Sequence, residues 1–185
     1  MIDVNELRKG VTFTMDNELY KVIDYQHHKP GRGKAVIRTK LRNLRTGAKI
    51  DKNFTSGERV QDIRLDHQTV QYLYSDGDFY YFMDTETYEQ FPLPNAVLED
   101  AKPYLVENTE IELSSYEGER LDVDLPITVD LEVVQAPPGF AGDTAQGATK
   151  DVTLETGLVL QVPLFVDEGN VLRVDTRTGR YVTRV

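Results

Sequence analysis

The chain has no cysteine and no tryptophan among its 185 residues, and only three histidines and three methionines. Without cysteine, neither a disulfide framework nor a thiolate metal site can form, which fits a reducing compartment. His27 and His28 are adjacent and would point to opposite faces of a strand, while His67 stands far off in sequence, so no metal site is expected. There is no Gly-x-Ser-x-Gly nucleophile elbow. Gly31-Arg32-Gly33-Lys34-Ala35 fails as a phosphate-binding loop, because its glycines are too close together and Ala35 stands where a Ser or Thr would hold magnesium. Carboxylates are abundant but scattered through turn-like segments. No catalytic residue, metal ligand or cofactor is therefore assigned. No apolar run approaches membrane-spanning length, and Met1–Glu6 carries charge where a secretory leader needs an apolar core. A soluble cytoplasmic protein without membrane contact is expected.

Charge is unevenly distributed. The formal net charge is −10. Residues 1–64 hold 14 Lys/Arg against 8 Asp/Glu, a balance of +6, whereas residues 65–126 hold 2 against 15, a balance of −13. Residues 127–185 hold 5 against 8, a balance of −3. Such asymmetry marks a division of labour along the chain. The clustered basic part has the electrostatic footprint of a phosphate-binding surface.

Most of the chain reads as short strands separated by turns. In the first part, Leu19–Tyr25, Ala35–Leu44 and Lys49–Phe54 are strand-like, with a turn at Arg45-Thr46-Gly47. In the second, Val70–Tyr74 and Phe79–Met83 flank Asp76-Gly77, a strong hairpin signal. Asn95 is placed to cap a short helix over Ala96–Ala101 that Pro103 would stop, and Ile111–Leu113 and Leu121–Leu125 flank a turn at Glu117-Gly118. In the third, Ile127–Val133, Val152–Leu154, Leu158–Val162, Val171–Val174 and Tyr181–Val185 are strands. The pattern predicts an all-β protein of three small units at 1–64, 65–126 and 127–185, each of the last two matching the size of a five-stranded oligonucleotide-binding barrel. No repeat of fixed period is present.

The segment Gln26-His27-His28-Lys29-Pro30-Gly31-Arg32-Gly33-Lys34 is read as a projecting basic loop between two strands. Pro30 cannot donate to a ladder and glycine tolerates unusual backbone angles. Arg32, set between two glycines with Lys29 and Lys34 nearby, can grip phosphate or stack on a base. Phosphate contacts would position the protein, while stacking or sugar contacts would suit RNA. A solvated hairpin loop that is merely basic is the competing reading.

Along its whole length the chain resembles the bacterial translation elongation factor P family. The tip Lys29-Pro30-Gly31-Arg32-Gly33 is similar to that family's functional loop, the run from Lys150 to Gly169 to its long signature, and Val171–Val182 to its C-terminal strand pair. Val152 departs mildly, since alanine is commoner there. The resemblance implies three β-barrel domains in an L shape, an SH3-like (KOW-like) N-terminal domain and two OB-fold domains. It implies the 70S ribosome and P-site peptidyl-tRNA as partners, binding between the P and E sites, relief of stalling at consecutive prolines, and a monomer. It places Arg32 near the CCA end of the tRNA, with Lys29, Pro30, Gly31, Gly33 and Lys34 around it. Arg32 is also the possible modification site, where an unmodified arginine is favoured over a rhamnosylated one. Gly142, Asp143 and Thr144 fall where the family reads the E-site codon, and Tyr181 and Arg184 where it meets the small subunit. A paralogue within the family and a generic RNA-binding barrel protein stay open as alternatives.

Overall fold

The computed structural model describes residues 1–140 and 147–185. The described residues form sixteen strands in three antiparallel sheets, with three short 3-10 turns and no α-helix. The first sheet contains β1 (Ile2–Asp3), β2 (Thr12–Met15), β3 (Glu18–His28), β4 (Val36–Asn43), β5 (Lys49–Thr55) and β6 (Arg59–Asp62), in the order β1-β6-β2-β3-β4-β5. The second contains β7 (Asp66–Ser75), β8 (Phe79–Asp84), β9 (Gln90–Pro94), β10 (Glu110–Tyr116) and β11 (Glu119–Asp124), in the order β11-β10-β7-β8-β9. The third contains β12 (Thr128–Gln135), β13 (Thr149–Leu154), β14 (Val159–Pro163), β15 (Val171–Asp175) and β16 (Arg180–Arg184), in the order β14-β13-β12-β15-β16.

The period of two along each strand decides which face is core. On β4, Ile37, Thr39, Leu41 and Asn43 are buried, while Arg38 and Lys40 between them are exposed. The inward set joins Val4, Leu7, Phe13, Val22, Phe54 and Val60 in the first core, where Phe13 meets Phe54 edge-on at 6.1 Å. The one inward hydroxyl, on Thr39, donates to the Lys52 carbonyl at 2.8 Å, so its burial leaves no unpaired polar group. Val70, Phe82, Leu98 and Leu113 centre the second core, and Leu131, Leu154, Leu172 and Val174 the third. Each fully buried side chain of this kind contributes about 1.5–3 kcal/mol.

A small fourth cluster, Leu19, Leu44 and Leu121, joins the first sheet to the second, with Ile63, Leu65 and Tyr116 packed against it. Tyr104 and Val106 pack against the third core, and the Thr156 hydroxyl donates to the Pro103 carbonyl at 2.6 Å.

Three expectations need correction. Gln26, His27 and His28 are not part of the projecting loop: they continue β3 and pair with Arg38, Ile37 and Val36. No helix spans Ala96–Ala101. A 3-10 turn runs over Asn95–Leu98, preceded by Pro94 with no side-chain cap, and a second over Lys102–Tyr104 contains Pro103 instead of ending before it. Strands β1, β2, β6 and β9 had no counterpart in the sequence reading. Among the described residues no helix is long and apolar enough to cross a membrane, and no group of three or more His, Asp or Glu side chains could hold a metal ion.

Candidate nucleic-acid interface

The basic tip stands at the end of a long two-stranded arm. β3 and β4 pair from Tyr20↔Asn43 to His28↔Val36, and the chain between these ends is the tip loop. Lys29, Gly31, Arg32, Gly33 and Lys34 are exposed and Pro30 is half-buried. At its base the Ala35 carbonyl accepts from the Ser56 backbone N–H at 2.8 Å. Gly33 has φ +100°, in the left-handed region that L side chains avoid, while a Cβ there would meet nothing within 4 Å. Backbone conformation, not crowding, therefore demands glycine at Gly33. Gly31 has no such angle and equally open surroundings, so it contributes slenderness. Among the described residues Lys29, Arg32 and Lys34 make no ion pair and no side-chain hydrogen bond, which leaves their charge available to a ligand.

The outward face of the arm continues this basic character. Arg38 is flanked by Gln26 and Asn53, and Lys40 by Asp24 and Asp51, on the neighbouring strands. With Tyr25 and Thr39 these residues line an open cleft of about 340 Å³. The carboxylates of Asp24 and Asp51 moderate the positive potential beside Lys40 but leave Arg38 unopposed.

At the far end of the same face the cations are committed. Arg42 Nη1 pairs with Asp122 Oδ2 at 2.5 Å, and Arg42 Nη2 donates to the Val97 carbonyl. Arg45 grips Glu119 at 2.9 Å, Lys49 meets Asp100 at 3.0 Å, and Lys21 meets Asp124 at 3.4 Å. Burial pushes the Asp122 carboxyl up from its ordinary value, opposed by the Arg42 charge and the Val123 backbone N–H. Gly47, with φ +76°, allows the first sheet to approach the second: a Cβ there would lie 2.3 Å from the Ala96 carbonyl oxygen. The basic residues thus divide by position. Those at the tip are free, and those near the second sheet hold acidic partners across the interface.

The remaining sequence candidates lie in or near the third sheet and are not brought to the tip. Tyr181 is half-buried and packs against the third core, opposite Val174 in β15. Arg184 is exposed, with its guanidinium 5.0 Å over the ring of Phe165, itself 54% exposed. Gly142, Asp143 and Thr144 lie outside the described residues.

One polar cluster had no sequence signal. The Ser114 hydroxyl donates to Asp124 Oδ2, and His67 Nδ1 lies 3.2 Å from the same oxygen. His67 Nδ1 also lies 3.4 Å from Ser114 Oγ, so the three groups form a closed triangle. The Ser114 hydroxyl is directed at the carboxylate, and Ser114 is buried. The members of the cluster are dispersed over β7, β10 and β11, a proximity only the register reveals.

Comparison with known proteins covers nearly the whole chain. Residues 3–60 match the family described as "Elongation factor P (EF-P) KOW-like domain", residues 65–123 "Elongation factor P (EF-P) OB domain", and residues 129–184 "Elongation factor P, C-terminal". The chain is 50% identical over 184 residues to elongation factor P of Moorella thermoacetica, and 51% identical over 185 residues to that of Carboxydothermus hydrogenoformans, each covering 100% of both chains. A solved structure titled "Eukaryotic translation initiation factor 5A from Methanococcus jannaschii" is 24% identical at a TM-score of 0.49, over 66% of this chain and 92% of that one.

Proposed function

The chain belongs to the elongation factor P family and is a translation elongation factor, and from that premise we propose that it binds the ribosome between the P and E sites with Arg32 at the CCA end of peptidyl-tRNA. In this reading it is a cytoplasmic monomer of three domains, at 1–64, 65–126 and 127–185, arranged as an L. The observation that carries the proposal is the exposed, unpaired Arg32 on a slender glycine-flanked tip. A guanidinium in that position can hold phosphate oxygens or stack on a terminal base. Lys29 and Lys34 add phosphate contacts that position the tip without reading sequence.

The factor supplies no nucleophile and no base. Proline is a poor substrate for peptide-bond formation because its ring fixes φ and constrains the growing chain. Holding the tRNA end in a reactive geometry lowers the entropic part of the barrier, and this orientation effect is what Arg32 contributes within the ribosome's own centre. The acidic middle unit carries charge of the same sign as nucleic acid, while the basic first unit touches RNA. Gly142, Asp143, Thr144, Tyr181 and Arg184 serve the E-site codon and the small subunit. Arg32 acts without modification, and the intact mass of the native protein tests this: an added sugar would overturn it.

The absence of cysteine makes a direct test clean. Lys34→Cys carries a single thiol to which an iron chelate can be tethered, and hydroxyl radicals generated there cleave nearby RNA. With ribosomes holding P-site peptidyl-tRNA, cleavage is expected at the CCA end. Cleavage confined to ribosomal RNA, or none with the factor bound, would overturn the placement. Salt-sensitive binding of arbitrary RNA without ribosomes would favour the generic RNA-binding reading.

A further inference from the structure

The outer face of the second sheet carries an exposed aromatic pair that the tip does not use. Tyr74 and Tyr81 stack across β7 and β8 with centroids 4.6 Å apart and planes 20° from parallel. Tyr74 is 48% exposed, whereas Tyr72, two positions earlier on the same strand, is buried in the second core. Residues two apart on a regular strand share a face. The register shift between Tyr72 and Tyr74 places an extra residue there, and that bulge turns Tyr74 outward. Exposed Pro92 is opposite Tyr81 on β9, and exposed Phe79 extends the surface toward the turn.

In oligonucleotide-binding barrels the second and third strands and the first loop form the ligand face, and aromatic rings there stack on bases beside a basic groove. The surface here overlaps that region, with Phe79 and Tyr81 on the second strand and Pro92 on the third beside Tyr74 on the first, and it has the rings but lacks the cations. Residues 65–126 contain only Lys102 and Arg120 as lysine or arginine side chains, and these are engaged with Glu99 at 3.1 Å and Glu89 at 2.8 Å. A polyanion would instead meet Asp76 and Asp78 in the turn beside the rings. Asp76 is fixed beside the rings: its Oδ2 accepts from the Tyr81 hydroxyl at 2.8 Å and its Oδ1 from the Phe79 backbone N–H at 2.8 Å. Those hydrogen bonds hold its carboxyl below the usual range, so it stays ionised.

The molecule already contains a small version of the ligand that suits such a surface. Arg120 lies 4.2 Å over the Phe91 ring while pairing with Glu89, a guanidinium held by an aromatic face and a carboxylate together. We propose that the Tyr74–Tyr81 face, with Asp76 and Asp78 at its edge, docks an arginine-rich segment of another protein. An OB-type nucleic-acid face has here been converted, by charge, into a protein-docking face.

The test uses the full chain, isotopically labelled, with nona-arginine, nona-lysine and a ten-residue oligouridine as probes. Nona-arginine is expected to shift the amide resonances of Ser75–Asp78 and Tyr81. Nona-lysine should bind several-fold more weakly, because an ammonium stacks less well than a guanidinium. Tyr74→Ser combined with Asp76→Asn should weaken nona-arginine about tenfold, with the spectrum elsewhere unchanged as evidence of folding. Tyr74→Ser alone, an exposed change, supplies a milder variant if the pair disturbs the hairpin. No nona-arginine binding, equal binding of nona-lysine, shifts centred instead on Glu107–Glu112, or oligouridine on Tyr74 and Tyr81 would each overturn the proposal.

Discussion

Replacing Arg42 with alanine tests how the first and second sheets are held together. The substitution removes the partner of Asp122, whose side chain is 9% exposed, and the donor to the Val97 carbonyl. Asp122 must then remain charged in a desolvated place or take up a proton. Protonating a carboxyl with an ordinary value of 3.8 at pH 7 costs about 4 kcal/mol, at about 1.4 kcal/mol per pH unit. Breaking a buried ion pair by removing one partner typically costs about 3–5 kcal/mol, so a loss of about 3–4 kcal/mol is expected at pH 7. Since the burial of Asp122 raises its folded-state value above the unfolded one, protonation becomes cheaper as pH falls. The penalty should therefore shrink to about 2 kcal/mol at pH 5. For a chain of this size the shift at pH 7 corresponds to a fall of about 10 °C in melting temperature. Urea and thermal unfolding followed by tyrosine fluorescence suit the ten tyrosines and absent tryptophan. Adding Asp122→Asn should abolish the pH dependence of the penalty, and Arg42→Met with Asp122→Leu should return stability to within about 1 kcal/mol of the parent. An Arg42→Ala penalty below about 1 kcal/mol, or one equal at pH 5 and pH 7, would refute the reasoning.

Gly47→Ala combines left-handed backbone strain with a clash against the Ala96 carbonyl, and is expected to cost about 2–4 kcal/mol in urea unfolding. Gly33→Ala meets only the backbone term, since nothing lies within 4 Å, and should cost about 1 kcal/mol; equal penalties would show that the approach of the two sheets at Gly47 is not tight. Asp175 is held down to about 2 from 3.8, chiefly by its hydrogen bonds from the Arg177 side chain and then backbone. A carboxyl with a lowered folded value adds stability above its unfolded value and loses it as pH falls toward the folded one. Asp175→Asn should therefore lower the melting temperature at pH 6 and leave it unchanged near pH 2, and a penalty independent of pH would contradict that.

The strands that alternate cleanly were legible in the residues themselves. β4 shows why: the basic Arg38 and Lys40 are outward between the inward Ile37, Thr39 and Leu41, so charge and burial alternate together. β9 was hidden because Gln90–Pro94 contains two prolines, which a central strand does not accept. The structure resolves this by placing β9 at the end of its sheet. The helix expected after Asn95 failed for a related reason: Pro94 precedes a single 3-10 turn, and the Asn95 side-chain oxygen is buried without a partner instead of capping it. At the tip, the glycines and basic residues announced an exposed loop. The length of the β3–β4 arm, which carries that loop outward and includes Gln26–His28, depends on pairing that local composition does not encode.

The contacts between the sheets were the least visible part. Arg42 and Asp122 are 80 residues apart, and nothing local distinguishes Arg42 from Arg38 or Lys40 on the same face. Only the fold separates the cation that holds an acidic partner from those left free. The charge imbalance between residues 1–64 and 65–126 was evident at once, but it has two uses that composition merges: attraction across an interface and a surface offered to outside partners. Tyr74 illustrates a further limit, since the period of two would have buried it with Tyr72 and only the bulge reverses its direction.

The role of Arg32 is tested by synthesis of a peptide containing consecutive prolines on reconstituted ribosomes. Added parent protein should relieve the stall. Arg32→Ala should lower the rate of proline–proline bond formation at least tenfold at saturating factor, about 1.4 kcal/mol of barrier, while its melting temperature and the rate on a proline-free message stay unchanged. Equal rescue by the parent and by Arg32→Ala would contradict the account.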